Sequence, residues 1–325
     1  MNGKASGNSK RRPHHGAAFF KGTLMKDRND YLVRASALDG RVRALAIDAT
    51  AVVGELHARH GTEPAVTAAL GRLATGALLL GAQLKNGEHT ISLRVLGDGP
   101  AGTLIATSNG KGDVRGLVAH PQTGTEQVRD GKLNVSGVVG SRGRLTVTRD
   151  IGLRQPYVGV VELLSGEIGE DIAHYLVSSE QTPSAIGIGV FVDAWGRVEA
   201  AGGWMIQLMP GVSDHDAITI DERVRELPHP TTMLRSGDAP EDVLGRIFGE
   251  EWELLDRMPV RFHCPCSIER VERALLLLGE DELRSLVEKD RDTGFTEITC
   301  EFCGRQYTLE TAAMSALAEM AAAND

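Results

Sequence analysis

Only four cysteines occur in the 325 residues of this chain, aromatic residues make up 4%, and no uninterrupted apolar run is as long as a membrane helix requires. The longest apolar stretches, "GALLLGA" (76–82) and "RALLLLG" (273–279), are short and helix-like, so no membrane span is expected. The N-terminal text is basic, but its "GAAFF" is too short for the apolar region of a secretory signal. These features place the protein in the cytoplasm, where thiols stay reduced and a disulfide scaffold is excluded. A net charge of −9 excludes a protein that grips nucleic-acid phosphates, which needs a basic footprint. Signature loops are missing too. "SNGKGD" (108–113) has the residue types of a phosphate loop without its spacing or its following helix, and reads as a turn. No serine sits in a Gly-x-Ser-x-Gly setting. The ten histidines form no metal spacing, and His57 and His60 read as exposed residues at a helix end.

What is present is enough chain for two domains, with 42% hydrophobic residues, 24% charge and 38 glycines. Residues 1–28 read as a flexible extension. From Asp30 onward, strand-like and helix-like pieces alternate. "HTISLRVLGDGP" (89–100) puts Ile91, Leu93 and Val95 on one face and Thr90, Ser92 and Arg94 on the other, then stops at a turn. "RLTVTRD" (144–150), "YVGVVEL" (157–163), "IGIGVFVD" (186–193) and "GGWMIQLMP" (202–210) are further strands. Helices are expected over 62–84, with Thr62 as cap and an early proline, and over 166–181. Residues 29–211 thus form one large mixed α+β domain.

Residues 212–262 are more polar and hold four prolines. They contain two short helical pieces, the second opened by Asp238 and Glu241 in capping-box spacing. Their apolar residues, among them Leu227, Val243, Leu244, Ile247, Phe248 and Trp252, are too many for a free linker and too few for a core. The segment is therefore expected to be a helical linker arm that folds only by docking on a neighbour.

All four cysteines fall in the remaining 263–325: "HCPCS" supplies Cys264 and Cys266, and "CEFCG" supplies Cys300 and Cys303. Around them the text predicts two helices (267–278 and 280–289), a strand into Cys300, a strand at 305–309 and a terminal helix (311–323). A unit this small is marginal on its core alone. Four thiolates holding one Zn2+ provide the missing brace, with structural zinc worth roughly 10–16 kcal/mol in small peptides at neutral pH. "CEFCG" between strands reads as a zinc knuckle, and Pro265 bends "CPC" so that both sulfurs converge. With four cysteines available, His263 is not needed as a ligand. Spacing alone leaves two readings open: a permanently metallated zinc ribbon, or a switch in which locally closing, reducible disulfides displace the ion. Two other functions fit less well. A nucleic-acid-binding ribbon conflicts with seven Lys/Arg against thirteen Asp/Glu over 260–325. A thiol oxidoreductase needs "CEFC" to open a helix, and here Gly304 and a strand follow.

The chain resembles the heat shock protein 33 family of redox-regulated molecular chaperones over residues 29–312. The resemblance rests on "LGDGP" (96–100), "RG" (115–116), "PYVGVVELLSGEIGEDIAHYLVSSEQTPSAIGIGV" (156–190) and "AAGGWMIQLMPG" (200–211). Above all it rests on "FHCPCSIERVERAL" and "TCEFCGRQY", with 33 residues between Cys266 and Cys300. It implies an ATP-independent holdase rather than an enzyme. Reduced, the four cysteines hold one zinc ion and the chaperone is inactive. Oxidation joins Cys264 with Cys266 and Cys300 with Cys303, releases the zinc and unfolds the linker. The protein, as a homodimer, then binds unfolding client proteins. The basic extension lies outside the pattern.

Overall fold

The computed structural model describes residues 29–125, 127–129 and 132–323; the expected extension, 1–28, lies outside the described residues. Two sheets enclose one helix. The chain opens with strands β1 (Tyr31–Ala37) and β2 (Val42–Asp48), followed by helices α1 (Thr50–His60) and α2 (Pro64–Gly81). It continues as β3 (Thr90–Gly97), β4 (Thr103–Asn109), β5 (Asp113–Val118), β6 (Val128–Arg129), β7 (Lys132–Leu133), α3 (Val135–Val139), β8 (Gly143–Asp150) and β9 (Tyr157–Glu162). Then come α4 (Gly169–Ser178), β10 (Ser184–Val192) and β11 (Val198–Leu208). The five strands expected from alternation are all present. "SNGKGD" is the β4–β5 turn, closed by the Asn109 side chain, which accepts from the N–H groups of Lys111 and Asp113.

Strands β1 and β2 lack an alternating pattern because both of their faces are covered. Leu32, Leu45 and Ile47 join the core around α2, while Val33, Ala35, Ala44 and Ala46 point to the opposite side. α2 is buried nearly all round, which is why its apolar residues are not confined to one stripe. Over its 18 residues it reaches a mean hydropathy of 1.3, enough in length and composition for a membrane span, although Arg72 interrupts its apolar run. Yet 89% of that window is buried inside the protein. The helix also starts later than expected: Pro64 is its first residue, and the Thr62 hydroxyl bonds to Thr67 rather than capping.

The expected arm contains α5 (Asp214–Glu226), α6 (Pro230–Ser236), α7 (Pro240–Phe248), β12 (Trp252–Pro259) and β13 (Arg261–Phe262). It holds three helices rather than two, and its last part is extended. β12 completes a sheet of order β10-β11-β2-β1-β12, and β13 completes the other, β13-β5-β4-β3-β8-β9. The three helices bury Ile220, Met233, Val243, Leu244, Ile247 and Phe248 against the far face of the first sheet. At α7 the Asp242 carboxylate, not Glu241, accepts the Ala239 N–H at 2.8 Å, while Asp238 binds Arg246. Glu241 is engaged by the core instead.

The C-terminal unit has the expected elements: α8 (Ile268–Leu276), α9 (Glu280–Lys289), β14 (Phe295–Thr299), β15 (Gln306–Glu310) and α10 (Thr311–Ala322). Its small core centres on Leu283, Leu309 and Met314.

Candidate metal centre and its seat on the large domain

The chain is steered to its first cysteine pair by the edge of a sheet. β13 runs parallel to β5, with Arg261 opposite Asp113 and Phe262 opposite Val114. The Arg261 N–H donates to the Gly112 carbonyl at 3.0 Å and the His263 N–H to that of Val114 at 2.9 Å. This path needs glycine at 112, where φ is +85° and a Cβ would lie 2.2 Å from the Pro259 carbonyl oxygen. Beyond Cys266, the Ser267 hydroxyl caps α8. The second pair sits in the turn between β14 and β15, where the Cys300 carbonyl accepts from the N–H groups of Cys303 (3.2 Å) and Gly304 (2.8 Å). Gly304, at φ +72°, closes the turn. The expected knuckle is therefore formed, and it opens a strand, not a helix.

The two pairs meet. All four sulfurs lie within 4.8 Å of one another, with Cys264 to Cys300 at 3.8 Å and Cys266 to Cys303 at 3.4 Å. Tetrahedral zinc with bonds of about 2.3 Å needs sulfurs about 3.8 Å apart, so the four cysteines fit that ion. His263 is not in the cluster. Burial pushes the thiol of Cys303 up to about 12 and also raises that of Cys264, against which the Arg115 side chain acts. At Cys266 burial acts in the same sense, but hydrogen bonds from Tyr307 and the neighbouring thiols outweigh it and bring the thiol down to about 7. The Tyr307 hydroxyl is buried beside Cys266, a donor suited to a thiolate.

Three residues of the large domain line the seat of this centre. Arg59, at the end of α1, donates from Nη1 to the Cys303 carbonyl at 2.9 Å and stacks on Phe262 at 4.5 Å. Arg115, on β5, reaches Cys264 Sγ at 3.9 Å and stacks on Phe302 at 4.1 Å. His60 is half-buried rather than exposed, and its Nε2 lies 2.9 Å from the Gly116 carbonyl. Burial lowers its pKa, although the carbonyls of Gly116 and Phe302 oppose this. His57 is likewise half-buried, against Thr62 and Thr67. Neither histidine belongs to the sulfur cluster.

A family model described as Hsp33 protein matches residues 30–310. The chain belongs to the Hsp33 family. It is 48% identical over 279 residues to the 33 kDa chaperonin of Desulforamulus reducens, covering 86% of this chain and 93% of that protein. With the 33 kDa chaperonin of Bacillus subtilis the identity is 46% over 278 residues, or 86% and 94% of the two chains. The crystal structure of the 33 kDa chaperonin of Thermotoga maritima superposes with a TM-score of 0.81 at 32% identity, covering 91% of this chain and all of that one. Hsp33 membership thus agrees with both the mixed α+β fold and the cysteine cluster.

The arginines were not read as functional from the sequence, although "RG" at 115–116 contributes to the Hsp33 resemblance. Their roles depend on contacts across 244 positions for Arg59 and 149 for Arg115. No local pattern signals such contacts.

Proposed function

We propose that this protein is a redox-regulated, ATP-independent holdase of the cytoplasm. In this reading residues 29–211 are the chaperone core, 212–262 a metastable linker, and 263–325 the switch. Cys264, Cys266, Cys300 and Cys303 hold one Zn2+ in the reduced form, and the ion serves to brace the switch. The supporting observation is the crossing of the two motifs at the sulfur cluster, where Cys264 faces Cys300 and Cys266 faces Cys303. Disulfides Cys264–Cys266 and Cys300–Cys303 would each take two thiolates and pass two electrons to an oxidant such as peroxide, which is reduced to water. No thiolate ligand then remains, and no bond joins "CPC" to "CEFC". The small Leu283 core cannot hold the unit alone.

Loss of the switch frees β13, and with it the end of the arm. Undocking of the arm bares Val33, Ala35, Ala44, Ala46 and Ile206 on one sheet face together with its own Leu244, Ile247 and Phe248. A contiguous apolar surface of this kind binds unfolding chains by burial, with no need of turnover. Pairing of two oxidised copies belongs to the same reading, and the edge strand β9, with Tyr157, Val158 and Val160 exposed, offers apolar surface for it.

The test is zinc release followed alongside light scattering of a heat-denaturing client. The reduced protein should carry one zinc and leave aggregation unchanged; peroxide at raised temperature should release the zinc and suppress scattering. A Cys300→Ser variant with tight zinc and a normal oxidant response would refute the four-thiolate assignment.

A further inference from the structure

We propose that Arg59 and Arg115 are positioning residues that sense the charge of the sulfur centre and through it hold β13, and hence the arm, on the large domain. The proposal rests on the redox reading above but concerns how the centre is coupled to the arm. Four thiolates around a dication carry a net charge of about −2, the largest local charge at this seat. Arg115 directs Nη1 at Cys264 Sγ (3.9 Å), and the nearby carboxylate of its own strand, Asp113, is taken by Arg261 Nε at 2.7 Å. Its guanidinium lies over Phe302, so one side chain touches both cysteine motifs. Arg59 also touches two segments, donating to the Cys303 carbonyl and stacking on Phe262 of β13. Glu55 fixes that pose, accepting from Arg59 Nε at 2.8 Å and Nη2 at 2.6 Å.

The placement of these residues gives the coupling. Arg115 stands one position beyond Val114, whose carbonyl accepts the His263 N–H, and β13 is only two residues long. A pairing this short does not persist unaided: Arg261 Nε donates to Asp113 at 2.7 Å across it, and the two guanidinium groups on either side add the hold that depends on the sulfur centre. N–H donors bind a thiolate sulfur well and a disulfide sulfur weakly, because the charge that strengthens the bond has gone. When two thiolates join as a disulfide and their electron pair leaves with the oxidant, the electrostatic hold of Arg115 on Cys264 goes too. Oxidation is thereby transmitted to β13 by loss of charge, before the small unit has to unfold.

The experiment is hydrogen exchange on the full-length, reduced, zinc-loaded protein. In Arg59→Leu/Arg115→Leu, zinc content should remain one per chain and the β14–β15 amides should stay protected, while the amides of Arg261 and His263 exchange at least tenfold faster. In the parent protein, protection of those two amides should fall as salt rises from about 0.05 M to about 1 M, since screening weakens charge-based contacts. The leucine pair should keep only the smaller salt response that belongs to the Arg261–Asp113 ion pair, and Arg59→Lys/Arg115→Lys should restore the difference with part of the protection. Unchanged exchange at Arg261 and His263 in the leucine pair, or a parent protein insensitive to salt there, would overturn the proposal. If the leucine pair does not fold, the lysine pair decides: a salt response steeper than the parent's supports charge sensing, and one no steeper than the parent's refutes it. Because no oxidant is used, failure here leaves the redox reading standing, whereas failure of that reading shows in zinc release by the parent protein.

Discussion

The Tyr31 hydroxyl donates to Glu241 Oε2 at 2.8 Å, joining the first strand of the core to helix α7 of the arm, 210 positions away. Burial, and next the bond to Glu241, pushes the phenol up to about 12, so it remains a donor at every physiological pH. Arg257 stacks on the ring at 5.0 Å and also pairs with Glu241. Tyr31→Phe removes the donor and keeps the ring. For a partly exposed site the expected cost is about 1 kcal/mol, or roughly a fivefold rise in exchange of α7 amides in the reduced protein. Exchange in α2 should not change.

Leu244 is 0% exposed and sits on α7 against the far face of the first sheet. Leu244→Ala should cost roughly 2–5 kcal/mol, charged entirely to docking of the arm. The reduced, zinc-loaded variant should bind an apolar dye and suppress client aggregation without oxidant. Leu79→Ala, in the core around α2, should lower the melting temperature of the large domain and give no such constitutive activity. Equal behaviour of the two variants would contradict a separately docked arm.

His229 caps α6, with Nδ1 2.8 Å from the Thr231 hydroxyl and accepting from its N–H at 3.4 Å. Burial first, then the charges of Arg72 and Lys132, lower its pKa from the usual value of about 6.5. The undocked arm therefore takes up a proton as pH falls through about 6.5, while the docked arm resists until lower pH. Docking stability, complete above that value, should decline as pH falls from it toward the docked-state pKa. Hydrogen exchange in α6, corrected for intrinsic rates, should be flat above about pH 7 and rise as pH falls below about 6.5. His229→Asn keeps a capping oxygen and should remove that component.

Chelation of the reduced protein gives a fourth expectation. Helices α8–α10 and strands β14–β15 should melt, seen as lost helical ellipticity, and return on adding zinc. The brace withdrawn is roughly 10–16 kcal/mol by comparison with zinc-finger peptides, far more than the Leu283 core supplies. Persistence of these elements in the chelated protein would mean the ion is not their chief support.

Much of this was legible locally. The meeting of the four cysteines was anticipated by "CPC" and "CEFCG", and α8 and α9 fell at the expected residues because each presents a polar and an apolar face, while α10 was marked by its run of alanines. β1 and β2 escaped notice because burial on both faces removes the alternation that marks a strand in Leu32–Val33 and Ala44–Ile47. β12 escaped for the opposite reason: it is mostly exposed, and its pairing partner β1 lies more than 200 residues earlier. The roles of Arg59 and Arg115 required the docked tertiary structure and could not be read from any window.

The enclosure of α2 has a bearing on recovery. Its walls come from both sheets and from α1, α3 and α4, and the helices of the arm contribute none of them. A molecule that sheds the arm therefore retains a finished scaffold carrying the complementary imprint. Under the proposed function, restoration after stress would then be a templated reattachment to a prebuilt surface, with clients competing with the arm for that same imprint.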